Sequence, residues 1–261
     1  MAEEVKHLSV SQINMFLRCP MQYEFRYMKG IKIPPVGAII QGKAYHEAVG
    51  ADLLYKKTQG NLLTESQMAD AFSTSFDTQL KVKASEDEGD LWEFEDIDWQ
   101  GNNPGEMKDQ GIILAGIYHN KIAQSIEPLE VEERKQTDIE GIPFVFIADV
   151  VEEKRIIDHK VKGRRFSEDE LKKDLQATAY SLIYNRPLEF HQALKLKVPT
   201  VEIAPTTRTE NDYLFFRGLV SRVKQAIDTG IFYPNPTSWA CSEQWCGYYK
   251  LCRDKPVAIE K

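Results

Sequence analysis

The chain has 261 residues, of which 42% are hydrophobic and 28% charged, and its formal net charge is −7. This length suits one large domain or two small ones with a proper core. The acidic charge argues against a protein that coats nucleic acid by bulk electrostatic attraction. The sequence contains no apolar run of the roughly 20 residues that cross a bilayer, and its first ten residues lack the pattern of a secretory signal. We therefore expect a cytoplasmic protein that does not bind a membrane.

Helical patterns dominate the first half of the chain. Apolar and aromatic residues recur at helical spacings between Ser11 and Lys29, and a second helix is predicted from Gln41 to Lys57. Residues of about 58–128 also favour helices, interrupted by an acidic run at Ser85–Trp99. Charge runs of this kind are usually solvated, so a loop or insertion is the first interpretation of that run.

The second half of the chain alternates strands and helices. Short segments rich in Val, Ile and Phe predict strands, and two capping boxes predict the starts of helices. In chain order these elements are strands at Leu129–Thr137, Ile142–Val151 and Arg155–Val161, a helix from Ser167 to about Tyr184, a strand at Phe190–Val198 and a helix from Thr209 to about Gly230. This order predicts an α/β or α+β domain built on a mixed β-sheet.

The stretch Phe144–Val161 carries two acidic residues in an unusual setting. Asp149 lies in an otherwise apolar strand, where an ionised carboxylate costs free energy unless it is paired or bound to a metal. If the strands turn at Glu153–Lys154, Asp149 pairs with Asp158 at roughly 5 Å between Cβ atoms. Two carboxylates that close repel each other unless a divalent cation lies between them. The open alternative is a strand-end aspartate and a surface Asp–Lys ion pair.

Three further residues extend this candidate site. The period of two places Asp158 and Lys160 on one face of their strand and His159 on the other. A metal held by Asp149 and Asp158 would polarise a phosphodiester, and Lys160 would orient the attacking water or stabilise charge on the phosphate. His46 shares a helix face with apolar residues, which is usually a core position but also suits a nitrogen ligand. A nitrogen ligand favours manganese somewhat over magnesium.

The four cysteines are unevenly distributed. Cys19 stands alone near the start, whereas Cys241, Cys246 and Cys252 lie close together near the end in C-x4-C-x5-C spacing. Disulfides are not the first interpretation for a protein of a reducing compartment.

Together, these motifs resemble the RecB-like branch of the PD-(D/E)XK nucleases, which includes the AddB nuclease domain and the CRISPR-adaptation nucleases. The matching pieces are Leu8–Tyr27, the GKAYHEAV helix, the FIADVV strand, the IIDHKVKGRR strand, the LQATAYSLIY helix and the WACSEQWCGYYKLC segment. Phe146, Val161 and Ala177 depart from the family's usual Gly, Thr and Leu. None of these departures removes a ligand or the lysine.

The resemblance implies a restriction-endonuclease-like α/β core, with a central mixed sheet flanked by helices, in one domain over residues 1–261 with a mainly helical insertion at about 58–128. It also implies a site for Mg²⁺ or Mn²⁺. The implied metal ligands are His46, Asp149, Asp158 and the backbone carbonyl of His159. Lys160 would be catalytic together with the two aspartates, and Gln176 and Tyr180 would line the site from one helical face.

In the iron–sulfur members of this family, one N-terminal and three C-terminal cysteines hold a [4Fe-4S] cluster. By this resemblance Cys19, Cys241, Cys246 and Cys252 would join the two chain ends as a staple, and four thiolates suit such a cluster. A four-cysteine zinc site is the main alternative, although zinc ligands usually come as close pairs. Four unrelated buried thiols are a further alternative.

The implied function is a metal-dependent DNA exonuclease acting on single strands or duplex ends, in recombination, repair, or phage or mobile-element DNA processing. Lys162, Arg164 and Arg165 follow the catalytic strand and are the predicted DNA contacts, with a solvated turn as the alternative. The acidic run would then be a lid over a nucleic-acid channel, if it is more than a solvated loop. A helicase or recombination protein is a candidate partner. The alternative from another class is a non-catalytic Fe–S protein that binds DNA or a partner on the same fold.

Overall fold

The structure, a computed structural model, describes residues 6–80 and 96–254. Most of the acidic run Ser85–Trp99 therefore lies outside the described residues. Nine α-helices fall within the described ranges: α1 Val10–Arg18, α2 Pro20–Tyr23, α3 Gly37–Gln59, α4 Glu65–Leu80, α5 Pro104–Lys121, α6 Glu168–Lys173, α7 Leu175–Tyr184, α8 Glu210–Asp228 and α9 Tyr249–Asp254. The strands of the same ranges are β1 Glu130–Ile139, β2 Ile142–Val151, β3 Ile156–Lys162, β4 Leu188–Leu194 and β5 Thr200–Thr206.

The five strands form one mixed sheet in the order β1-β2-β3-β4-β5. β3 runs parallel to β4 and antiparallel to β2, and β4 runs antiparallel to β5. Helices α6 and α7 connect the parallel pair, as a parallel connection requires a crossover. This arrangement confirms the predicted α/β class and mixed sheet, and it is consistent with a restriction-endonuclease-like core.

The predicted hairpin between β2 and β3 is confirmed. Val150 lies opposite Ile157 and Val151 opposite Ile156, which is the register of a turn at Glu153–Lys154. The turn is closed by a hydrogen bond from the Glu152 N–H to the Arg155 carbonyl at 2.9 Å. Asp149 and Asp158 are the next residues along the two strands, so this register brings the two acids to one place.

Three of the predicted elements differ from the structure. The helix expected over Ser11–Lys29 is interrupted at Cys19, whose backbone is extended between α1 and α2. The single helix expected from Ser167 to Tyr184 is two helices, because Asp174 has extended backbone and its side chain accepts a hydrogen bond from the Ala177 N–H as the cap of α7. The capping box of Ser167 and Glu170 is confirmed. The strand expected to run to Val198 ends at Leu194, and β5 was not predicted. β5 is at an edge of the sheet, where Pro205 is tolerated because one side of the strand needs no ladder hydrogen bond.

The described residues divide into two compact units. One comprises the described parts of Met1–Pro34, Lys135–Phe146 and Glu210–Lys261, and the other comprises those of Pro35–Arg134 and Ile147–Thr209. The expectation of a single nuclease domain over the whole chain stays a prediction.

The second unit holds the main hydrophobic core. Helices α3, α4 and α5 pack against one another and bury Tyr45, Phe72 and Tyr118 together with Val150 and Ile157 of the sheet. Helix α3 ends where Gly60 adopts a left-handed backbone and donates to the Lys56 carbonyl, a usual role for glycine at a helix end. The core helices thereby pack on the sheet face that carries Val150 and Ile157, and the alternation of side chains places Asp158 on the opposite face of β3.

The first unit has its own smaller core. Leu8 bridges to Phe144 of β2 through backbone hydrogen bonds, and Phe144 packs edge-on against Phe216 of α8 at 6.0 Å between ring centroids. A separate apolar cluster contains Phe25, Tyr248 and three of the cysteines. None of the helices in the described ranges combines the length and apolar composition needed to span a bilayer.

Packing between α4 and α5 depends on a glycine. A Cβ at Gly111 would lie 2.0 Å from Cζ of the buried Phe72 ring. We expect Gly111→Ala to lower the free energy of unfolding by about 1–3 kcal/mol, because overpacking forces side chains from their rotamers. Gly116→Ala in the same helix is the matched control, since a Cβ there meets no described atom within 4 Å. It should be neutral or stabilising by about 0.5–1 kcal/mol. Equal urea midpoints for the two variants would contradict this account.

Candidate metal and active site

One group of potential ligand atoms lies close together in the second unit. It consists of His46 of α3, Asp149 of β2 and His159 of β3, whose ligand atoms all lie within 4.8 Å of one another. Among the described residues, no other group of three or more potential ligands meets this criterion. His46 Nδ1 lies 3.2 Å and His159 Nδ1 3.5 Å from Asp149 Oδ2. The His159 backbone N–H also donates to Asp149 Oδ2 at 2.6 Å. The Asp149 carboxylate is thus held from three sides.

Asp158 belongs to a second, adjoining cluster. Its carboxylate is fully buried, with Oδ2 2.5 Å from Lys160 Nζ and Oδ1 accepting from Gln176 Nε2 at 2.6 Å. Lys160 Nζ also donates to Gln176 Oε1 at 2.9 Å. Tyr180 lies one turn further along α7, and its hydroxyl donates to the Ile147 carbonyl at 2.7 Å. Gln176 therefore contacts both charged groups and fixes their positions.

Burial and neighbouring charge act in opposite directions on these groups. Burial alone lowers the pKa of His46, but the Asp149 carboxylate raises it to about 10. Burial raises the pKa of Asp149, yet the charge of His46 and the His159 hydrogen bond hold it well below its usual range. Burial raises the pKa of Asp158 to about 7 against the opposing charge of Lys160. The charge of Asp149 also raises the pKa of Asp158, because two neighbouring carboxylates repel each other when both are ionised. A bound cation would stabilise both carboxylates in the ionised form.

Three residues near the site were not predicted from the sequence. Glu132 of β1 reaches to 3.8 Å from His46 Nδ1, from a backbone with a φ of 51°. Tyr118 of α5 contacts His159 Nε2 at 2.9 Å, and His191 of β4 contacts Tyr118 at 3.1 Å. Burial lowers the pKa of His159 to about 4 and also lowers the pKa of His191. His191 lies among apolar residues of β4, a pattern that does not distinguish it from an ordinary core residue.

The decisive comparison is with protein families. A model of the PD-(D/E)XK nuclease superfamily matches residues 7–253 of the chain. The chain belongs to this superfamily. Membership supports a nuclease function and implies DNA as the substrate and divalent metals as cofactors, which agrees with the His46–Asp149–His159 group. The assignment to the RecB-like and AddB-like branch stays a prediction.

Solved structures support the fold of this superfamily member. A candidate exonuclease from Eubacterium rectale is 15% identical, with a TM-score of 0.57 over 97% of this chain and 91% of its own. The protein SSO0001 is 10% identical, with a TM-score of 0.43 over 98% of this chain and 90% of its own, and supports no conclusion by itself. Among curated proteins, no match was found.

The predicted DNA contacts are engaged with other side chains of the nuclease. Arg164 forms a two-pronged ion pair with Glu170 at 2.7 and 2.8 Å, and Arg165 forms one with Glu202. Lys162 Nζ lies 3.3 Å from the centroid of the Phe166 ring. Exposed ion pairs of this kind contribute little to stability, because solvent screens their charges. A phosphate could therefore compete for either arginine at small cost.

The four cysteines of the nuclease line one cavity. It has a volume of about 250 Å³ in the first unit and includes Cys19, Cys241, Cys246 and Cys252 in its wall. Burial raises the pKa of the Cys252 thiol, and the nearby Cys19 and Cys246 raise it further. Gln22 Nε2 donates to Cys246 Sγ at 3.0 Å. The four cysteines that the sequence analysis grouped therefore lie around one cavity, and their role as ligands stays a prediction.

Loss of the buried ion pair between Asp158 and Lys160 should lower the free energy of unfolding. We expect Lys160→Met to lower the free energy of unfolding by about 3 kcal/mol, because a buried carboxylate loses its cation. Urea titration measures this loss. The double variant Asp158→Asn with Lys160→Met should recover most of it, since no charge is left unpaired. Lys172→Met removes an exposed partner of Glu168 and should change stability by less than about 0.5 kcal/mol. A Lys160→Met protein as stable as the Lys172→Met control would show that Asp158 does not depend on the lysine.

Proposed function

We propose that this nuclease is a divalent-metal-dependent DNA exonuclease acting on single strands or duplex ends. The observation that carries the proposal is the meeting of two buried clusters at β2 and β3. One presents the carboxylate of Asp149 beside two imidazoles, and the other presents Asp158 fixed by Lys160 and Gln176. The preference for exonuclease over endonuclease rests on the sequence resemblance and on the name of the Eubacterium rectale protein.

The residues present fit a divalent metal. Asp149 is a buried carboxylate with two nitrogen atoms at 3.2 and 3.5 Å, and mixed oxygen and nitrogen ligands suit Mn²⁺ as well as Mg²⁺. His46, Asp149, Asp158 and the His159 carbonyl would hold the ion. When bound, such an ion polarises the phosphodiester and lowers the pKa of an attacking water.

The remaining groups have roles that follow from their contacts. The charge of Asp158 attracts Lys160, which raises the pKa of that ammonium although burial opposes it, so Lys160 stays charged. A fixed cation there stabilises the negative charge that builds on a phosphate oxygen during cleavage. Gln176 holds the ammonium and the Asp158 carboxylate through one amide. Tyr180, anchored on Ile147, keeps α7 against the strand.

The proposed activity is tested with end-labelled single-stranded DNA, with and without Mn²⁺. We expect Asp158→Asn to reduce cleavage at least about 100-fold, since even residues that only support metal ligands contribute 10–100-fold. Asp169→Asn is the matched control, because Asp169 is an exposed acid on α6 that only pairs with Lys173. Comparing 5′ and 3′ labels gives the polarity of digestion.

The same experiment distinguishes the nuclease from a non-catalytic binding protein. DNA binding is followed in parallel by fluorescence anisotropy. Metal-dependent loss of label in wild type and in Asp169→Asn, but not in Asp158→Asn, supports the nuclease. Binding without cleavage under every metal condition would overturn it in favour of the binding protein.

We further propose that Cys19, Cys241, Cys246 and Cys252 hold a [4Fe-4S] cluster. The shared cavity supports this, because its wall contains all four thiols, and four thiolates suit such a cluster.

Cluster loss should be visible in colour and stability. We expect anaerobically purified wild type to contain iron and to be brown, and Cys252→Ser to lose iron and melt at a lower temperature, because a group bound only by the folded state stabilises it. Tyr249→Phe is the control, since it removes one hydroxyl from a residue of the same cavity wall. Iron analysis and thermal melting are the measurements. Zinc in place of iron, or a Cys252→Ser protein that melts like wild type, would contradict the cluster.

A further inference from the structure

Lys195 is a half-buried cation without an acidic partner. It follows the last residue of β4, and its Nζ donates to the side-chain oxygen of Gln41 on α3 at 3.1 Å. Within the part of the chain that the structure describes, no carboxylate forms an ion pair with this ammonium. Burial lowers the pKa of Lys195, and no charge of a described residue opposes that shift.

Three lysines of the second unit with similar exposure are paired. Lys56, Lys108 and Lys160 are also half-buried, and each ammonium lies within 3.1 Å of a carboxylate oxygen. The carboxylates are those of Glu127, Asp77 and Asp158, respectively. A cation that loses water on folding costs free energy unless an opposite charge replaces that water. Lys195 therefore lacks the compensation that these three lysines have.

The Gln41 amide holds the Lys195 ammonium in a defined position. Gln41 is fully buried, and its Nε2 donates to the Met107 carbonyl of α5 at 2.7 Å. Because that carbonyl can only accept a hydrogen bond, the amide oxygen must face Lys195. The amide is neutral, so it orients the ammonium without cancelling its charge.

The position of Lys195 relative to Asp158 is fixed by the parallel pairing of β3 and β4. Lys162 lies opposite Leu194 at the end of that pairing, and the Lys195 N–H donates to the Lys162 carbonyl at 2.8 Å. Asp158 is four residues before Lys162, which corresponds to about 13 Å along the strand. A DNA strand whose cleaved bond lies beside Asp158 reaches this end of the sheet within a few nucleotides.

An acidic chain needs local cations to bind DNA. Its formal net charge is −7, so attraction for phosphates has to come from individual basic residues at the binding surface. Lys162, at the same end of the sheet, also forms no ion pair within the described ranges, and its ammonium lies over the Phe166 ring. Two lysines without acidic partners at one end of the sheet favour a DNA phosphate as the missing counterion.

We propose that Lys195 binds a backbone phosphate of single-stranded DNA a few nucleotides from the cleaved bond, and that Gln41 positions its ammonium for this contact. The inference rests on the proposed action on DNA and deepens it, because it names a substrate contact outside both the metal site and the basic segment 162–165. Such a contact positions the strand without reading its base sequence.

Salt-dependent DNA binding tests this contact. Fluorescence anisotropy of labelled oligo(dT) with the full-length protein in EDTA measures binding without metal-dependent cleavage. Each phosphate contact with a single strand contributes about 0.7 to the slope of log affinity against log salt concentration. Lys195→Met should therefore make that slope shallower by about 0.7, so that its affinity falls behind that of wild type by about five-fold for each ten-fold lowering of salt.

Two further variants separate the charge of Lys195 from other effects. Lys195→Arg keeps a cation at the position and should keep most of the salt dependence. Lys121→Met removes one positive charge from an exposed lysine at the end of α5, about 21 Å along that helix from Met107. Its slope should equal that of wild type.

The stability of the DNA-free protein gives a second readout. We expect Lys195→Met to unfold at a higher urea concentration than wild type, because it removes a half-buried cation that has no counterion in the free protein. A clearly lower urea midpoint would show that the fold depends on the ammonium, and it would overturn the argument that the charge is uncompensated.

The outcomes separate this inference from the proposed function. Equal slopes for wild type and Lys195→Met, or no binding of the oligonucleotide at any salt concentration, overturn the contact. An equal reduction in Lys195→Arg or in Lys121→Met also overturns it, because packing or overall charge then explains the effect. A slope reduced in Lys195→Met alone supports the contact even if no DNA is cleaved, and the nuclease proposal then fails by itself.

Discussion

Two carboxylates, Asp149 and Asp158, come together at the hairpin of β2 and β3, and the surrounding structure compensates for their charge. An isolated buried carboxylate is expensive, and a pair is more so because the charges repel. Asp149 is balanced by His46 and by a backbone N–H, and Asp158 by Lys160. Each compensating group comes from a different element or strand position, so the site exists only when α3, β2 and β3 are assembled.

The need of every buried polar group for a partner also accounts for the polar residues around His159. His159 is buried at the centre of the strand, and its ring needs a partner on the side of the core. Tyr118 on α5 supplies that partner, His191 supplies the next, and Glu189 with Arg155 ends the line near the hairpin turn. A core that contains such a line loses hydrophobic packing but fixes the orientation of one imidazole.

The sequence by itself determined the elements whose signals are local. The strands on both sides of Glu153–Lys154 and their register followed from apolar patterning and turn position, since a period of two leaves few alternatives. The capping box at Ser167 followed from four adjacent residues. Membership in the nuclease superfamily was also visible, because its motifs combine short spacings with rare residue types. The grouping of Cys19 with the C-terminal cysteines came from the resemblance, and the shared cavity agrees with it.

Only the tertiary structure decided which side chains meet across long sequence separations. Tyr118 and His191 reach His159 from a helix and from a neighbouring strand, and no local pattern distinguishes them from ordinary core residues. Glu132 reaches His46 through an unusual backbone conformation, and Arg165 is occupied by a glutamate on β5, a strand that patterning missed because it contains a proline. The physical reason is common to these cases. A side chain's partner depends on how whole elements pack, whereas sequence periodicity reports only which face of one element is buried.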